Sequence, residues 1–325
     1  YQLIPKTAAD GIALHTGGYG RTSAKNGEVF RNVFNYPANY WDGASGAINH
    51  LLDINGNDIK GKKVALVYHN SAYGKEPIRT LEVLAEKHGY ELSLLPVDHP
   101  GQEQKSQWLQ IRRDKPDYVL MWGWGVMNQV AIQEAVNIRF PMENFIGIWW
   151  SGSENDVLPA GPKANGYKSL TFHGVGSDFA VLDDIKKYVV DAGKAAGAGD
   201  QVGTVLYNRG LYMAMLHAEA ARTAQDMTGK SAVSQGDMIK AMEAFEMTEE
   251  KMAGLGLANF GPSFKVTCQN HGGDGLVGVA QWDAGAGKWS MISDYKQSDQ
   301  SVVAKLIAED SAAYAAENNI TPNCN

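Results

Sequence analysis

The sequence predicts an α/β fold with a doubly wound parallel sheet and more than one domain. From about residue 61 to residue 200, short apolar runs alternate with segments whose apolar residues recur at helical spacing. This alternation is typical of a parallel sheet covered by helices. After residue 203 the pattern changes to long helices with a few late strands. A length of 325 residues also exceeds one ordinary hydrophobic core, so at least two domains are expected.

The first sixty residues predict a short strand, a glycine-rich segment and a helix. The strand at residues 12–15 runs into TGGYGR at residues 16–21. These glycines allow either a close approach of the backbone to a bound group or a simple turn. Their spacing is not that of a phosphate-binding fingerprint. A helix is predicted to begin at Asn39 and to end at the sequence NGN that starts at Asn55.

The alternating region predicts five strands separated by helices. The strands are expected at residues 62–70, 91–97, 118–121, 145–148 and 169–175. The helices are expected to begin near Pro77 and to cover residues 105–113, 129–138, 156–160 and 179–195. Short loops between a strand, a helix and the next strand indicate parallel pairs with right-handed crossovers.

Four of the eight tryptophans directly follow two of these strands. Trp122 and Trp124 follow the third strand, and Trp149 and Trp150 follow the fourth. Ligands of open parallel sheets bind beyond the carboxyl ends of the strands, so we expect at least two of these indoles to line a ligand cleft. The alternative is that one or two of them only cover the edge of the sheet.

The second half of the chain predicts a different arrangement. Helices are expected at residues 205–227 and 237–245, strands at 264–268, 276–283 and 288–295, and a last helix at 299–317. Because this part has no parallel strands of its own, it is predicted to pack on the beginning of the chain. The predicted division is therefore one discontinuous lobe, residues 1–60 and 203–325, with residues 61–202 inserted as a second lobe.

Composition excludes several kinds of partner. Hydrophobic residues make up 44% and charged residues 20% of the chain, as in a globular protein. A formal net charge of -7 argues against nucleic acid or anionic lipid as a partner, and no apolar run is long enough for a membrane span. No signal peptide is present, and a chain that begins with Tyr1 rather than Met is expected to have lost a leader or to be truncated.

The motifs favour binding over catalysis. The two cysteines, Cys268 and Cys324, are not at metal-ligand spacing, so we favour one structural disulfide, typical of an oxidising compartment, over a zinc site. No nucleophile elbow, zinc-protease motif or Walker loop occurs, and no cofactor or metal is expected. Strand-end loops rich in aromatic, glycine and amide groups suit an apolar pocket with a few orienting polar groups.

Several segments resemble the type I periplasmic solute-binding proteins of ABC importers, in the branch that binds leucine, isoleucine and valine. The resemblance is carried by IALHTGGYGRT, by KVALVYHNSAYGKE with Tyr73-Gly74 in its strand-to-helix loop, and by the long helix after residue 203. It covers essentially the whole chain. It implies a two-lobe periplasmic-binding-protein-like fold of type I with a hinge, in which the opening strands of the first lobe are missing from this sequence.

The resemblance also implies where a ligand binds. The glycine-rich segment would donate hydrogen bonds to a carboxylate, and Tyr73 and the loops after the third and fourth strands would face the ligand from the second lobe. Members that bind amino acids hold the ammonium with an acidic residue after the fourth strand, where this chain has tryptophans and a later glutamate. An aromatic or aliphatic carboxylate, or an amide, therefore fits as well as an amino acid. The candidate ligand-binding residues are Thr16, Gly17, Gly18, Tyr19, Arg21, Tyr73, Trp122, Trp124, Trp149, Trp150, Ser151, Glu154 and Tyr207.

Some candidates also have a structural interpretation. Arg21 could form a bidentate pair with a ligand carboxylate, or an ion pair with Glu28 or another surface acid. Tyr73 could pack on its own helix instead of a ligand. Residues 207–209, at a predicted crossing between the lobes, could cap a helix or form a hinge.

Three functions fit the sequence. The first is a monomeric periplasmic component of an ABC importer, which binds a small-molecule solute and delivers it to a permease in the inner membrane. The second is a ligand-sensing regulator or receptor domain on the same fold. The third is an enzyme that acts on a small acid, which the scarcity of paired catalytic groups disfavours.

Overall fold

The first two strands form a small parallel sheet. The computed structural model describes residues 1–197 and 199–324 of the chain. Strands β1 (Leu14–His15) and β2 (Val33–Phe34) pair in parallel. The glycine-rich segment therefore follows a strand, as predicted, although this strand is shorter than the four residues expected.

Five parallel strands form the centre of a larger, eight-stranded sheet. They are β3 (Lys63–His69), β4 (Glu91–Val97), β5 (Tyr118–Trp122), β6 (Phe145–Gly147) and β7 (Lys168–Thr171). Their order across the sheet is β4-β3-β5-β6-β7, so the direction of winding reverses between β3 and β5. The predicted doubly wound parallel sheet is confirmed, and its topological switch point lies at this reversal.

The late strands complete two sheets. Their bounds are β8 (Glu246–Met247), β9 (Phe264–Lys265), β10 (Leu276–Asp283), β11 (Lys288–Met291) and β12 (Lys296–Gln297). Strands β8 and β9 form a separate antiparallel pair. Strand β10 instead joins the large sheet antiparallel to β7, and β11 and β12 pair with β10.

The placement of β10 differs from the predicted division into lobes. The sequence prediction assigned residues 203–325 to the first lobe, whereas β10 extends the sheet formed by residues 63–171. The physical reason is that β10 is buried on both faces. Val279 packs into the core on one side of the sheet and Trp282 into the core on the other. A strand with two apolar faces is stable only inside a sheet that is covered on both sides.

Helices cover both faces of the large sheet. The α-helices of the described residues are α1 (Ile4–Ala9), α2 (Tyr40–Ile54), α3 (Ala72–Lys75), α4 (Ile78–His88), α5 (Lys105–Asp114), α6 (Val126–Asn137), α7 (Glu154–Val157), α8 (Ala180–Ile185), α9 (Val205–Thr228), α10 (Gln235–Glu243), α11 (Glu249–Gly254) and α12 (Gln300–Glu317). A π-helical turn, Lys186–Val190, continues α8, so the helix predicted at 179–195 ends earlier.

Helix α2 also departs from the predicted division. Its N-cap is Asn39, whose side chain accepts hydrogen bonds from the backbone of Trp41 and Asp42, which is a strong helix start. The sequence prediction placed α2 in the first lobe, but it packs on α4, β7 and β10. Its buried face, which includes Ala44 and Ile48, belongs to the same core as β3 and β5. The boundary predicted after residue 60 is therefore not visible in the packing.

Cys268 and Cys324 form a disulfide with their Cα atoms 5.7 Å apart. The bond attaches the end of the chain to the segment after β9. Helix α12 leads to it and packs on the 3₁₀ turn Thr22–Lys25 and on α4. The end of the chain thus braces the beginning against the large sheet.

Candidate functional site

The loops after β3 and β5 meet at the switch point of the sheet. Tyr73 lies on α3, directly after β3, and its hydroxyl donates a hydrogen bond to the carbonyl oxygen of Gly123 at 2.8 Å. Gly123 and Trp124 directly follow β5. The crevice at such a reversal is where doubly wound sheets bind ligands.

Four aromatic side chains, which we call the rim cluster, lie together at this edge of the sheet: Tyr19, Tyr73, Trp124 and Trp150. The ring centroids of Tyr19 and Trp150 are 5.2 Å apart, those of Tyr19 and Trp124 6.3 Å, and those of Trp124 and Trp150 6.1 Å. The planes cross at 78°, 78° and 61°, so the rings meet edge to face. Tyr73 joins the cluster through Trp124, at 6.5 Å.

Two members of the rim cluster are exposed to solvent, whereas Tyr73 and Trp150 are half-buried. Trp124 is 47% exposed and Tyr19 is 43% exposed, which is unusual for large aromatic side chains grouped in one place. Grouped apolar side chains at a surface typically mark a binding site. The four segments that supply the cluster follow β1, β3, β5 and β6 and are separate in the sequence.

A second, buried aromatic layer lies beneath the rim. Trp149 stacks on Tyr40, with centroids 5.7 Å apart, and meets Phe172 edge to face at 5.2 Å. The indole N–H of Trp150 donates to the hydroxyl of Tyr40 at 2.9 Å. Burial raises the pKa of the Tyr40 and Tyr73 phenols well above the usual range, so both hydroxyls stay protonated.

The glycine-rich segment approaches this layer closely through its backbone. A Cβ atom on Gly18 would lie 2.8 Å from the ring of Phe172, and one on Gly17 would lie 2.5 Å from the sulfur of Met213. Both glycines also have positive φ, +54° at Gly17 and +81° at Gly18. Glycine is needed here for close approach as well as for backbone conformation.

Arg209, on the first turns of α9, is a buried cation beside the aromatic layer. It is 4% exposed. Its Nη1 donates to the carbonyl oxygen of Trp149 at 2.7 Å, and its Nε donates to Nε2 of His173 at 3.1 Å. Its guanidinium carbon lies 4.8 Å from the ring centre of Trp150 and 5.6 Å from that of Phe172. Burial lowers the pKa of Arg209 to about 10, so the side chain is still charged at neutral pH.

His173 is held neutral next to this cation. Its Nδ1 donates to the carbonyl oxygen of Gly174 at 2.9 Å, which leaves Nε2 as the acceptor for Arg209. Burial, and then the charge of Arg209, lower the pKa of His173 to about 3. The histidine therefore accepts from Arg209 without adding a second charge.

The two acids near Arg209 are engaged elsewhere. The carboxylate of Glu154 accepts from the backbone N–H of Val205, at the start of α9. Asp156 accepts from the backbone and the hydroxyl of Ser153 at 2.9 Å and from Asn128 at 3.1 Å. Burial raises the pKa of both carboxyls.

Several predicted site residues come together. Tyr19, Tyr73, Trp124 and Trp150 form the rim, and Trp149 lies in the layer below, bonded through its indole N–H to the carbonyl oxygen of Gly18 at 3.1 Å. Ser151 links the loops, because its hydroxyl both accepts from the N–H of Gly123 and donates to its carbonyl, each at 3.1 Å.

Other predicted site residues lie apart from the rim cluster. Trp122 is fully buried inside β5. Arg21 pairs with Asp310 on α12, with Nη2 2.5 Å from the carboxylate. This ion pair corresponds to the structural interpretation with a surface acid.

The remaining three candidates have mainly structural contacts. The backbone N–H of Thr16 donates to Phe34 at 2.8 Å, and Tyr207 packs partly buried against the large core. Glu154 caps α9 as described above. No contact with the rim cluster assigns these side chains to it.

The sequence analysis missed two members of the candidate site, Tyr40 and Phe172, and left Arg209 open between a capping or hinge role and ligand contact. Phe172 directly follows β7, but the strand predicted at residues 169–175 contained it, so the strand-end argument applied to the tryptophans did not single it out. Arg209 stood in the predicted crossing at residues 207–209, but its orientation had no local signal. Tyr40 begins a helix and reads as an ordinary core residue.

The described part of the chain has neither a metal-binding cluster nor a helix suited to a membrane. Residues 1–197 and 199–324 contain no group of three or more His, Cys, Asp or Glu side chains placed to hold a metal ion. Over the same residues, no helix combines the length and apolar character needed to cross a membrane.

The chain is similar to one protein family and to several solved structures. A family profile described as periplasmic binding protein matches residues 2–288. A solved structure from the Pseudomonas fluorescens group, described as an ABC transporter permease, shares 38% sequence identity with a TM-score of 0.93. That match covers 100% of this chain and 79% of the other. No curated protein matches this chain in sequence.

Two more distant structures share the fold at low identity. A branched-chain amino acid ABC transporter from Thermus thermophilus with bound valine has 17% identity and a TM-score of 0.75, covering 94% of this chain and 77% of the other. A solute-binding protein from R. palustris in complex with benzoate has 17% identity and a TM-score of 0.66, covering 91% and 75%. At these identities the likeness shows the fold alone.

Proposed function

This chain belongs to the periplasmic binding protein family, and on that premise we propose that it is the solute-binding component of an ABC importer. It binds a small-molecule solute in a cleft between two lobes and offers the loaded form to a permease in the inner membrane. Its place of action is the periplasm. The proteins of this family bind solutes and are not enzymes, so the enzymatic alternative is set aside.

The observation that carries this proposal is the rim cluster at the switch point of the sheet. Exposed and half-buried aromatic rings over a buried aromatic layer provide an apolar surface for a flat or branched ligand. Hydrogen-bonding groups lie directly beneath the rings, so a ligand can be oriented as well as buried.

The rings of the rim cluster come from two sides of the proposed cleft, which would allow the cleft to close on a ligand. Tyr19 comes from the segment after β1, whereas Tyr73, Trp124 and Trp150 come from the edge of the large sheet. A ligand held between Tyr19 and the other three rings contacts both sides of the cleft. Only a ligand with such contacts to both sides can shift a hinge toward its closed form.

We infer that the solute carries a carboxylate or an amide: a branched-chain or other amino acid, or an aromatic or aliphatic acid. The relatives with bound valine and bound benzoate bind carboxylates, which supports this class. An amino acid is the less favoured member. Its ammonium group needs a free acidic partner, and Glu154 and Asp156 are already engaged.

Native mass spectrometry of the untreated protein tests the function, because a tightly held solute is retained. Calorimetry with valine, leucine, benzoate, benzamide and short aliphatic acids then measures affinity. We expect saturable binding of at least one of them. Absence of saturable binding of any small carboxylate, amide or amino acid would contradict the proposal.

A matched pair of variants tests the location of the site. Tyr19→Ala removes a rim ring and is expected to weaken binding at least about tenfold, since a buried aromatic contact is lost. Tyr188→Ala is the control, because Tyr188 is 55% exposed but lies on the π-helical turn. If the two substitutions change the affinity equally, the ligand does not bind at the rim cluster.

A further inference from the structure

Arg209 is a buried cation without an acidic partner. Buried charges are normally neutralised by an ion pair or a bound ion, because desolvation is costly. Within residues 1–197 and 199–324, Arg209 forms no ion pair, although it is only 4% exposed. The protein therefore keeps a positive charge inside an apolar aromatic layer.

The hydrogen bonds that Arg209 forms do not include an acidic acceptor. Both acceptors, the carbonyl oxygen of Trp149 and Nε2 of His173, are neutral. Among the described residues, its Nη2 has no hydrogen-bond partner. A guanidinium presents five N–H donors in a planar fork that matches a carboxylate, so donors are still available on this side chain.

The free part of Arg209 lies at the proposed ligand site. Its guanidinium stacks 4.8 Å from the ring centre of Trp150, a member of the rim cluster. Glu154 and Asp156 are close enough to favour the charged form of Arg209, but both are bonded to other donors. The cation consequently lies against one of the rings that would hold the apolar part of a ligand.

The other arginine considered for this role is already neutralised. Arg21 forms its ion pair with Asp310 and also lies over the ring of Tyr314, at 4.7 Å. It needs no ligand to balance its charge. Arg209 differs in this respect, since it is more deeply buried and lacks an acid.

We propose that Arg209 receives the carboxylate of the solute while the rim cluster packs on the apolar body of the same molecule. The ligand class is then a small monocarboxylate with a flat or branched apolar body. The corresponding amide and a cationic analogue bind more weakly, because neither neutralises the buried charge. This assignment rests on the proposed solute-binding function and narrows its ligand class.

Matched ligands test the assignment on the unmodified protein. Calorimetry compares benzoate with benzamide and with phenyltrimethylammonium, which share a ring and differ in charge, and isovalerate with isovaleramide. The carboxylate of each pair is expected to bind at least about tenfold more tightly, the usual contribution of a hydrogen-bonded charge. Amides that bind as well as the acids, or a preference for the cation, would overturn the proposal.

Variants test the residue itself. Arg209→Met keeps an unbranched, flexible side chain but removes its charge, and is expected to weaken benzoate binding at least about tenfold while leaving benzamide binding within about twofold. Arg21→Met is the control and should leave both affinities within about twofold, since its cation is already paired. A ratio of benzoate to benzamide affinity that is unchanged in Arg209→Met would refute the role.

A substitute variant covers the case in which Arg209→Met does not fold, and native mass spectrometry separates failure of this inference from failure of the proposed function. If Arg209→Met does not fold, as judged by circular dichroism, Arg209→Lys replaces it. Lysine keeps the charge but loses the planar fork of donors, so the affinity for benzoate should fall and that for benzamide should not. An unchanged ratio of the two affinities again refutes the role of Arg209. If native mass spectrometry finds only a neutral or cationic solute, the inference fails and the proposed function stands. If no solute binds at all, the proposed function fails first.

Discussion

The indole N–H of Trp149 donates a hydrogen bond to the carbonyl oxygen of Gly18, at 3.1 Å, although the two residues are 131 positions apart. Trp149 follows β6, and Gly18 lies in the segment after β1. The bond is buried, and the ring of Trp149 is fully buried with it. It therefore fixes the glycine-rich segment against the edge of the large sheet, next to the rim cluster.

Replacing this indole tests how much the bond stabilises the fold. Trp149→Phe is expected to lower the free energy of unfolding by about 2 kcal/mol or more, because the carbonyl of Gly18 loses its donor and a smaller ring leaves a cavity. Urea unfolding followed by circular dichroism measures the change. Trp122→Phe is the matched control: that indole is equally buried, but its N–H has no partner among the described residues. The decrease in the free energy of unfolding should be about 1 kcal/mol smaller for Trp122→Phe than for Trp149→Phe. Equal decreases would show that the bond to Gly18 contributes little.

Ser151 holds the loop that carries Trp124. Ser151→Ala removes the acceptor for the buried N–H of Gly123, so we expect the free energy of unfolding to fall by about 1–3 kcal/mol. Solute affinity should fall with it, since Trp124 is attached to that loop. Ser106→Ala, on the exposed surface of α5, is the comparison and should stay within about 0.5 kcal/mol of the parent. A stable Ser151→Ala variant with full affinity would speak against this linkage.

His173 should make the protein sensitive to acid. The pKa of its imidazole is about 3 in the folded protein and 6.5 for the free group, so unfolding takes up a proton below pH 6.5. Its contribution to stability is complete above pH 6.5 and is lost as the pH falls from 6.5 toward 3.

The variant His173→Gln isolates this effect from the buried acids, whose raised pKa values act in the opposite direction. The difference in free energy of unfolding between parent and variant should shrink by at most about 1.4 kcal/mol per pH unit as the pH falls below 6.5. Chemical unfolding at several pH values measures it. A difference that is constant between pH 7 and pH 4 would mean that His173 is not held neutral.

The disulfide should be a major source of stability. The bridge joins Cys268 to Cys324 over a separation of 56 residues, and closing a loop of that size restricts the unfolded chain by about 4 kcal/mol on the chain-entropy model. We expect dithiothreitol to lower the urea midpoint accordingly. The double variant Cys268→Ser with Cys324→Ser should unfold at the lower midpoint with or without reductant. An unchanged midpoint in the reduced parent would contradict this expectation.

The sequence was most informative where the signal is local. Each strand and helix between β3 and β7 has its own local pattern of apolar residues, so their alternation could be predicted. Strand β10 was likewise predicted at its observed bounds, residues 276–283. Its partner could not be predicted, because β10 pairs with β7, more than a hundred residues earlier. Helix α2 was predicted for the same local reason, whereas the elements that it packs on, α4, β7 and β10, are distant in the sequence and could not be predicted.

In the candidate site, too, local features could be predicted and non-local contacts could not. The positions of Trp124 and Trp150 could be inferred, because both follow strands whose carboxyl ends share one edge of the sheet. The contacts of Arg21 and Glu154 could not, since Asp310 and Val205 lie far along the chain. Arg209 was visible only as a charge near a crossing. Its burial without an acid is a property of the fold, not of any local pattern.

The unequal exposure of the tryptophans gives the protein an optical reporter of its own state. Trp122 and Trp149 are fully buried, whereas Trp124 is 47% exposed at the rim. Indole emission moves to shorter wavelengths when water is removed from the ring. A molecule that enters between the rings will therefore shift the emission of Trp124 and leave that of Trp122 and Trp149 as an internal reference, so occupancy can be followed without a label.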